Sequence, residues 1–195
     1  MRVYVLTVDQ RRSRRGRDLV EDALTLMRRQ VGDPLLPFER TAGDEFQGVV
    51  TDAEDVRRAS LALMREGSWS VGIGIGEAEE PLPDSTRSAR GPAFVYAREA
   101  LDAAKKRPHT IAVSGPGDRA QDADALMTLL AALITRRTDA GWEAIDLVEE
   151  GLALAEVADR LGVTRQAVGQ RLSVALWQQE KDVRPLVVRL LEEAR

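Results

Sequence analysis

Strand-like sequence is confined to the first 114 residues of this 195-residue chain. There, apolar and β-branched residues recur in short runs bounded by turn residues, the pattern of β-strands; the runs cover 2–9, 35–42, 46–51, 69–78 and 110–114. From residue 122 onwards the apolar residues follow helical spacing. The segment "GPGDRAQDAD" (115–124) is typical of a linker. The sequence therefore predicts an α+β domain over 1–116 and an all-helical domain over 117–195.

The order of elements in the first domain narrows the fold further. Amphipathic spacing predicts helices over 17–31, 53–65 and 92–107. The result is a β-α-β-β-α-β order, which is ferredoxin-like, extended by one more helix and strand. In the fourth strand, glycines occupy one face, at 72, 74 and 76. Since glycine weakens a strand unless something approaches its backbone closely, we expect a close neighbour there.

The most specific motif lies in the helical domain, in "LALAEVADRLGVTRQAVGQRLSVAL" (152–176). It predicts a first helix over 154–161, with the small Ala158 where a second helix crosses. Gly162 supplies the turn, Val163 fills the core, and Thr164 caps the second helix. This is the pattern of a helix-turn-helix motif. The preceding segment, 141–150, is predicted to be the supporting helix, with Trp142, Ile145 and Val148 facing inward.

The outward side of the second helix suits double-stranded DNA. The predicted DNA-binding residues are Thr164, Arg165, Gln166, Gly169, Gln170, Arg171 and Ser173. Arginine can pair with guanine and glutamine with adenine, whereas a capped helix N-terminus can meet a phosphate. Arg160 and Arg171 are candidates for backbone phosphates. The alternative is a helical hairpin that packs internally or binds another protein.

A homodimer is expected, because one helix-turn-helix seldom binds tightly and two copies can read two half-sites. The apolar sides of two predicted helices, 122–138 and 182–194, are the surfaces we expect to pair with the second copy.

Three carboxylates form a second candidate site. Asp9 ends the first strand, and Asp44 and Glu45 lie in the turn of the 35–51 hairpin that we expect beside it. Carboxylate oxygens suit Mg²⁺, which also takes substrate phosphates. The segment "RRSRRGR" (11–17) follows Asp9, and its arginines 12, 14 and 15 are candidate nucleotide-phosphate ligands. The alternatives are ordinary turn acids and a solvated or DNA-contacting basic loop.

Composition excludes several classes of protein. The chain has no cysteine and a single histidine, His109, which excludes thiolate and His-cluster metal sites. We find no apolar run near the ~20 residues of a membrane span and no signal-peptide pattern. We therefore expect a cytoplasmic protein with no membrane partner. The net charge of -4 leaves only local basic patches for nucleic acid.

A family resemblance is carried by several of these segments. "AGDEFQGVV" (42–50) resembles the GGDEF signature of diguanylate cyclases, and "SVGIGIGEA" and "REALDAAKKRPHTIAV" resemble their later strand and terminal helix and strand. More closely, "LTVDQRRSRRGRD", "GDEFQG", "GIGIGE" and "SARGPAFVYAREAL" together resemble the SatD family of bacterial proteins. Its actinobacterial members carry a C-terminal helix-turn-helix. The resemblance implies a GGDEF-like cyclase palm in the N-terminal domain, with Asp9, Asp44 and Glu45 at the metal positions.

The signature also departs from the cyclase pattern. Ala42 replaces the first glycine, and the chain has no asparagine with which cyclases partly read guanine. We therefore expect a degenerate palm that dimerises the protein or senses a nucleotide, in a DNA-binding transcriptional regulator. The alternative is an active Mg²⁺-dependent nucleotidyl cyclase or nucleotidyltransferase. A third hypothesis is a regulator in which nucleotide binding to the palm changes the dimer geometry.

Overall fold

The structure is a computed structural model that describes residues 1–13 and 16–195. Its strands are β1 (Arg2–Gln10), β2 (Leu36–Ala42), β3 (Glu45–Val50), β4 (Trp69–Glu77) and β5 (Ile111–Ser114). Its α-helices are α1 (Val20–Gln30), α2 (Ala53–Glu66), α3 (Pro92–Ala104), α4 (Asp118–Ile134), α5 (Asp139–Glu149), α6 (Leu154–Leu161), α7 (Arg165–Val174) and α8 (Trp177–Ala194). The predicted α+β class is confirmed. No helix in the described ranges is both long and apolar enough to cross a lipid bilayer.

The strands form one sheet in the order β2-β3-β1-β4-β5. The first four strands are antiparallel to their neighbours, and β5 runs parallel to β4. The predicted element order, β-α-β-β-α-β with an added helix and strand, is therefore present. β1 is central, and its side chains alternate between two buried faces, as a strand covered on both sides requires.

A glycine stripe on β4 sets how closely α3 can pack. A Cβ atom added at Gly72 or Gly74 would overlap the α3 backbone at Ala97. At Gly76 it would lie 3.1 Å from the amide nitrogen of Ala93. The alanines of α3 complete the close approach, since Ala93 and Ala97 are fully buried. The expected close neighbour of the glycine face is therefore the backbone of α3.

The opposite face of the sheet carries the main core. Tyr4, Leu6 and Val8 of β1 pack there in a cluster that also contains buried residues of α1, α2, α4 and α8. From α4 these include Ala120, Ala123, Met127, Leu130 and Ile134, and from α8 they include Val187, Leu191 and Ala194. Helices predicted to belong to a separate domain thus share a core with the sheet. The predicted boundary at 116/117 therefore runs through the main core, and only α5, α6 and α7 form a core of their own.

The predicted linker is mostly helix. α4 begins at Asp118, so only 115–117 of the segment 115–124 connects β5 to it. The polar residues that suggest a linker fix the helix in place: Asp124 accepts a hydrogen bond from the Val113 amide at 2.7 Å and bonds Arg107 at 2.7 Å. α8 likewise begins at Trp177, before the predicted 182, and continues through Pro185.

The proposed pairing surfaces of α4 and α8 also need correction. Their apolar sides pack against each other, α2 and the sheet. The buried part of these sides is therefore not available to a second copy of the chain, although Leu129 of α4 is 62% exposed.

We predict that Gly74→Ala strongly destabilises the protein, because the new methyl group meets the α3 backbone and neither element can move without disturbing the sheet. Overpacking of this kind costs about 1–3 kcal/mol, and more where backbone must shift. Urea unfolding followed by circular dichroism measures the loss. Gly32→Ala is the matched control, since its added Cβ meets nothing within 4 Å. Equal midpoints for the two variants would show that the glycine stripe is not needed for packing.

Candidate nucleic-acid interface

The turn between α6 and α7 has the predicted local structure. α6 ends at Leu161 and is followed by Gly162, whose φ of 63° lies in the left-handed region that glycine adopts without strain. Val163 is half-buried against the apolar cluster of these helices. The Thr164 Oγ1 accepts a hydrogen bond from the Ala167 amide at 3.1 Å, so Thr164 caps α7. The predicted helix over 154–161, the glycine turn and the threonine cap are confirmed.

Three helices support this turn. α5, α6 and α7 pack around a small core whose buried members include Ile145, Val157, Ala158, Val168 and Leu172. Ala158 is 5% exposed, as expected for a small residue at a helix contact. Of the residues predicted to face inward from α5, Ile145 is buried, and Trp142 and Val148 are half-buried against the same cluster. One side of α7 packs on this core, and its other side faces away from the core.

The outward side of α7 carries most of the predicted DNA-binding residues. Five of these residues have exposed side chains: Thr164, Arg165, Gln166, Gln170 and Ser173. Gly169 is half-buried, and a Cβ added to it would meet nothing within 4 Å. Arg171 is also half-buried and forms a 3.3 Å ion pair with Glu143 of α5. The segment from Thr164 to Ser173 therefore presents a polar surface that the protein's own interior does not use.

Charge is segregated within the three-helix unit. Residues 139–174 contain seven acids and three arginines: Asp139, Glu143, Asp146, Glu149, Glu150, Glu156 and Asp159, against Arg160, Arg165 and Arg171. α7 itself contains two of the arginines and no acid. A polyanion would therefore be attracted to α7 and the end of α6, and repelled by α5.

The three predicted metal-binding carboxylates lie at one edge of the sheet, as expected. Asp9 is directly opposite Glu45 in the β1–β3 ladder, and the Gln10 amide donates to the carbonyl of Asp44 at 3.1 Å. Among the described residues, however, no three His, Cys, Asp or Glu side chains form a group that could hold a metal ion.

Two cations, Arg98 of α3 and Lys105 directly after α3, neutralise two of these carboxylates instead. Lys105 donates to Asp9 at 2.7 Å, and Arg98 makes a bidentate contact with Glu45 at 2.6 and 2.7 Å. The hydrogen bonds to Glu45 raise the pKa of Arg98. Neither partner was predicted from the sequence, although a spacing of seven residues places Arg98 and Lys105 on one side of a helix. The metal site stays a prediction that requires both ion pairs to open.

The arginine-rich segment 11–17 is described only in part. Arg12 is exposed and has a φ of 59°, which is costly for a residue other than glycine. Arg17 pairs with Asp22 at 2.6 Å. Arg14 and Arg15, the other two predicted phosphate ligands, lie outside the described residues. The phosphate-binding role of this segment stays a prediction.

No protein-family model matches this sequence, and a search of curated proteins finds no significant match.

We predict that Mg²⁺ does not change the thermal unfolding of the wild-type protein, because Asp9 and Glu45 are each already bonded to a cation. In the double variant Arg98→Gln, Lys105→Gln these carboxylates face each other unpaired, an arrangement that is destabilising in a sheet. Mg²⁺ should then raise the unfolding temperature by a few degrees, about 2–4 °C per kcal/mol of binding. Calorimetry with MgCl₂ against NaCl of equal ionic strength makes the measurement. A Mg²⁺-dependent rise in the wild type that Glu45→Gln abolishes would instead support the metal site.

Proposed function

We propose that this protein binds double-stranded DNA through α7 and acts as a transcriptional regulator. The observation that carries the proposal is the free polar side of α7, from Thr164 to Ser173, next to a tight turn that fixes α7 against α6. In helix-turn-helix proteins the second helix enters the major groove in this way, and its N-terminal residues contact the bases.

Each exposed group of α7 has a suitable role in this proposal. Arg165 can donate two hydrogen bonds to guanine, and Gln166 and Gln170 can each pair with adenine. Thr164 and the free amides at the start of α7 suit a backbone phosphate. Arg160 at the end of α6 is exposed and supplies a further phosphate contact.

The number of arginines near α7 predicts how strongly DNA binding depends on salt. Arg160, Arg165 and Arg171 are the basic residues of the three-helix unit, and Arg171 is already paired with Glu143. The logarithm of the binding constant falls with the logarithm of the salt concentration, and each phosphate contact adds about 0.9 to the steepness of that slope. One copy should therefore bind with a shallow slope of roughly 2–3, and useful affinity calls for a homodimer on paired half-sites.

In this proposal the sheet-bearing part serves as a scaffold for the helices that include α7. Its ferredoxin-like element order and its "AGDEF" turn fit the suggested kinship with the cyclase palm and the SatD family. The ion pairs of Asp9 with Lys105 and of Glu45 with Arg98 favour a palm that does not turn over nucleotides. A homodimer and a nucleotide ligand stay predictions within this proposal.

We predict that Arg165→Ala and Gln166→Ala each weaken binding by about 5- to 100-fold, the value of one bidentate base contact. The operator is first selected by sequencing genomic fragments that the purified protein retains. Fluorescence anisotropy on that duplex, at two salt concentrations, then gives the affinities. Arg28→Ala is the matched control, because Arg28 is exposed on α1.

Gly169→Ala provides a steric version of the same test. Its methyl group enters open space and alanine favours a helix, so stability should hold or rise by up to about 1 kcal/mol. If α7 lies in the groove, affinity for DNA falls although the protein is at least as stable. Unchanged affinity in all three α7 variants would overturn the proposal.

A further inference from the structure

A pocket of about 250 Å³ lies where α2 meets α5 and α8. Its wall combines five arginines with one tryptophan: Arg57, Arg58, Arg65, Arg137, Arg184 and Trp142. We call it the arginine pocket. The helices around it come from two different hydrophobic clusters, since α2 belongs to the main core and α5 to the three-helix unit.

A single buried carboxylate serves three of these arginines. Glu180 of α8 is 3% exposed and accepts hydrogen bonds from Arg184 at 3.0 and 2.8 Å. Arg57 and Arg137 approach the same carboxylate at 3.7 and 3.8 Å, which is within ion-pair range but too long for hydrogen bonds. Glu180 therefore does not satisfy all the donors that surround it.

Other acids around the pocket pair with arginines other than Arg137. Arg57 also bonds Glu54 of its own helix, with its Nε at 2.8 Å from the carboxylate. Arg184 has a second acceptor in Glu149, at 2.8 Å, and its bonds to Glu180 and Glu149 raise its pKa. Towards the rim, Arg65 makes a bidentate contact with Asp146 at 2.6 Å.

Arg137 is the group left without a carboxylate of its own. Its side chain is 3% exposed, and its Nε donates to the carbonyl of Ala175 at 2.9 Å. Its buried Nη2 has no hydrogen-bond acceptor anywhere in the described part of the chain. The guanidinium lies 4.8 Å from the ring centre of Trp142. Burial lowers the pKa of Arg137, as desolvation of a cation must.

We propose that the arginine pocket binds a small anion that bears a phosphate group, with Arg137 as its innermost ligand. A guanidinium presents forked N–H donors that match phosphate oxygens, and a buried guanidinium does so with little competition from water. The volume is below the ~300–1,000 Å³ of pockets for drug-sized ligands. The ligand is therefore inorganic phosphate or a small phosphate ester.

Because of where the pocket lies, a bound anion would link two parts of the structure. An anion held by Arg57 and Arg58 of α2, by Arg137 and by Arg184 of α8 would join the main core to the helices that carry α7. Binding should raise the stability of the whole chain. It requires no DNA, so it can be tested whether or not α7 binds DNA.

The test is thermal unfolding together with isothermal titration calorimetry on the full chain, without DNA. The probes are inorganic phosphate and glycerol phosphate, each compared with NaCl at equal ionic strength. We expect a saturable rise in unfolding temperature of about 2–4 °C at concentrations several times the dissociation constant. A response to inorganic phosphate identifies the free ion as sufficient, and a response to the ester alone identifies a phosphorylated metabolite.

Two variants assign the effect to the pocket. Arg137→Met removes the buried guanidinium and its bond to the Ala175 carbonyl, whereas Arg184 and Arg57 still surround Glu180. The unliganded protein should therefore stay folded with a modest loss of stability, while the response to phosphate disappears. Arg58→Gln lies at the rim, where the Arg58 side chain is 44% exposed. It should weaken phosphate binding about tenfold with little change in unliganded stability. Arg119→Gln on α4, 59% exposed and outside the pocket, is the matched control and should respond like the wild type.

Two results would overturn the proposal. One is a wild-type protein that phosphate and its ester stabilise no more than NaCl does. The other is a phosphate response that persists at full size in the pocket variants. If Arg137→Met does not fold, Arg58→Gln decides between the outcomes by itself.

Discussion

The apolar side chains of the central strand β1 must be buried, and the helices that bury them determine where the other helices lie. Tyr4, Leu6 and Val8 point to one side of the sheet, and α4 and α8 help to bury them. Because these two helices flank α5, α6 and α7 in the chain, the three-helix unit is anchored at both ends to the main core. On the opposite face, the glycines of β4 bring α3 close enough to place Arg98 and Lys105 over the acidic edge. Packing on the two faces of the sheet thus positions the two candidate sites, α7 through one face and the acidic edge through the other.

Local signals were readable from the sequence, whereas long-range pairings were not. The helix 154–161, the turn at Gly162 and the Thr164 cap depend on neighbours within a few residues, and all three are confirmed. The order of strands and helices followed from periodicity in the same way. The polar segment 115–124 was misread as a linker because Asp124 finds its partners in Val113 and Arg107, which periodicity does not reveal. The pairing of Glu45 with Arg98, across 53 residues, was missed for the same reason.

Electrostatics distinguishes the three regions in which charged side chains gather. At the sheet edge, Glu45 is paired with Arg98 of α3 and Asp9 with Lys105 directly after it, so these two carboxylates are neutralised. In the arginine pocket, the Glu180 carboxylate lies 3.8 Å from Arg137, whose buried Nη2 has no hydrogen-bond acceptor among the described residues, so a donor is left for the proposed anion. On α7, Arg165 is exposed, and no ion pair in the described part of the chain engages it. These differences favour the proposed roles: a scaffold for the sheet-bearing part, an anion site at the junction of the helices, and a DNA contact on α7.

The contact between α7 and DNA is the central claim, and backbone amide chemical shifts of the isotopically labelled protein test it most directly. Duplex DNA at low salt engages even a non-specific binder through phosphate contacts, so no operator is required. The account predicts that the largest shift changes on adding duplex fall between residues 164 and 173, with the amides of β1 and β4 unaffected. Changes centred on the arginine-rich segment 11–17, or none at all, would contradict it.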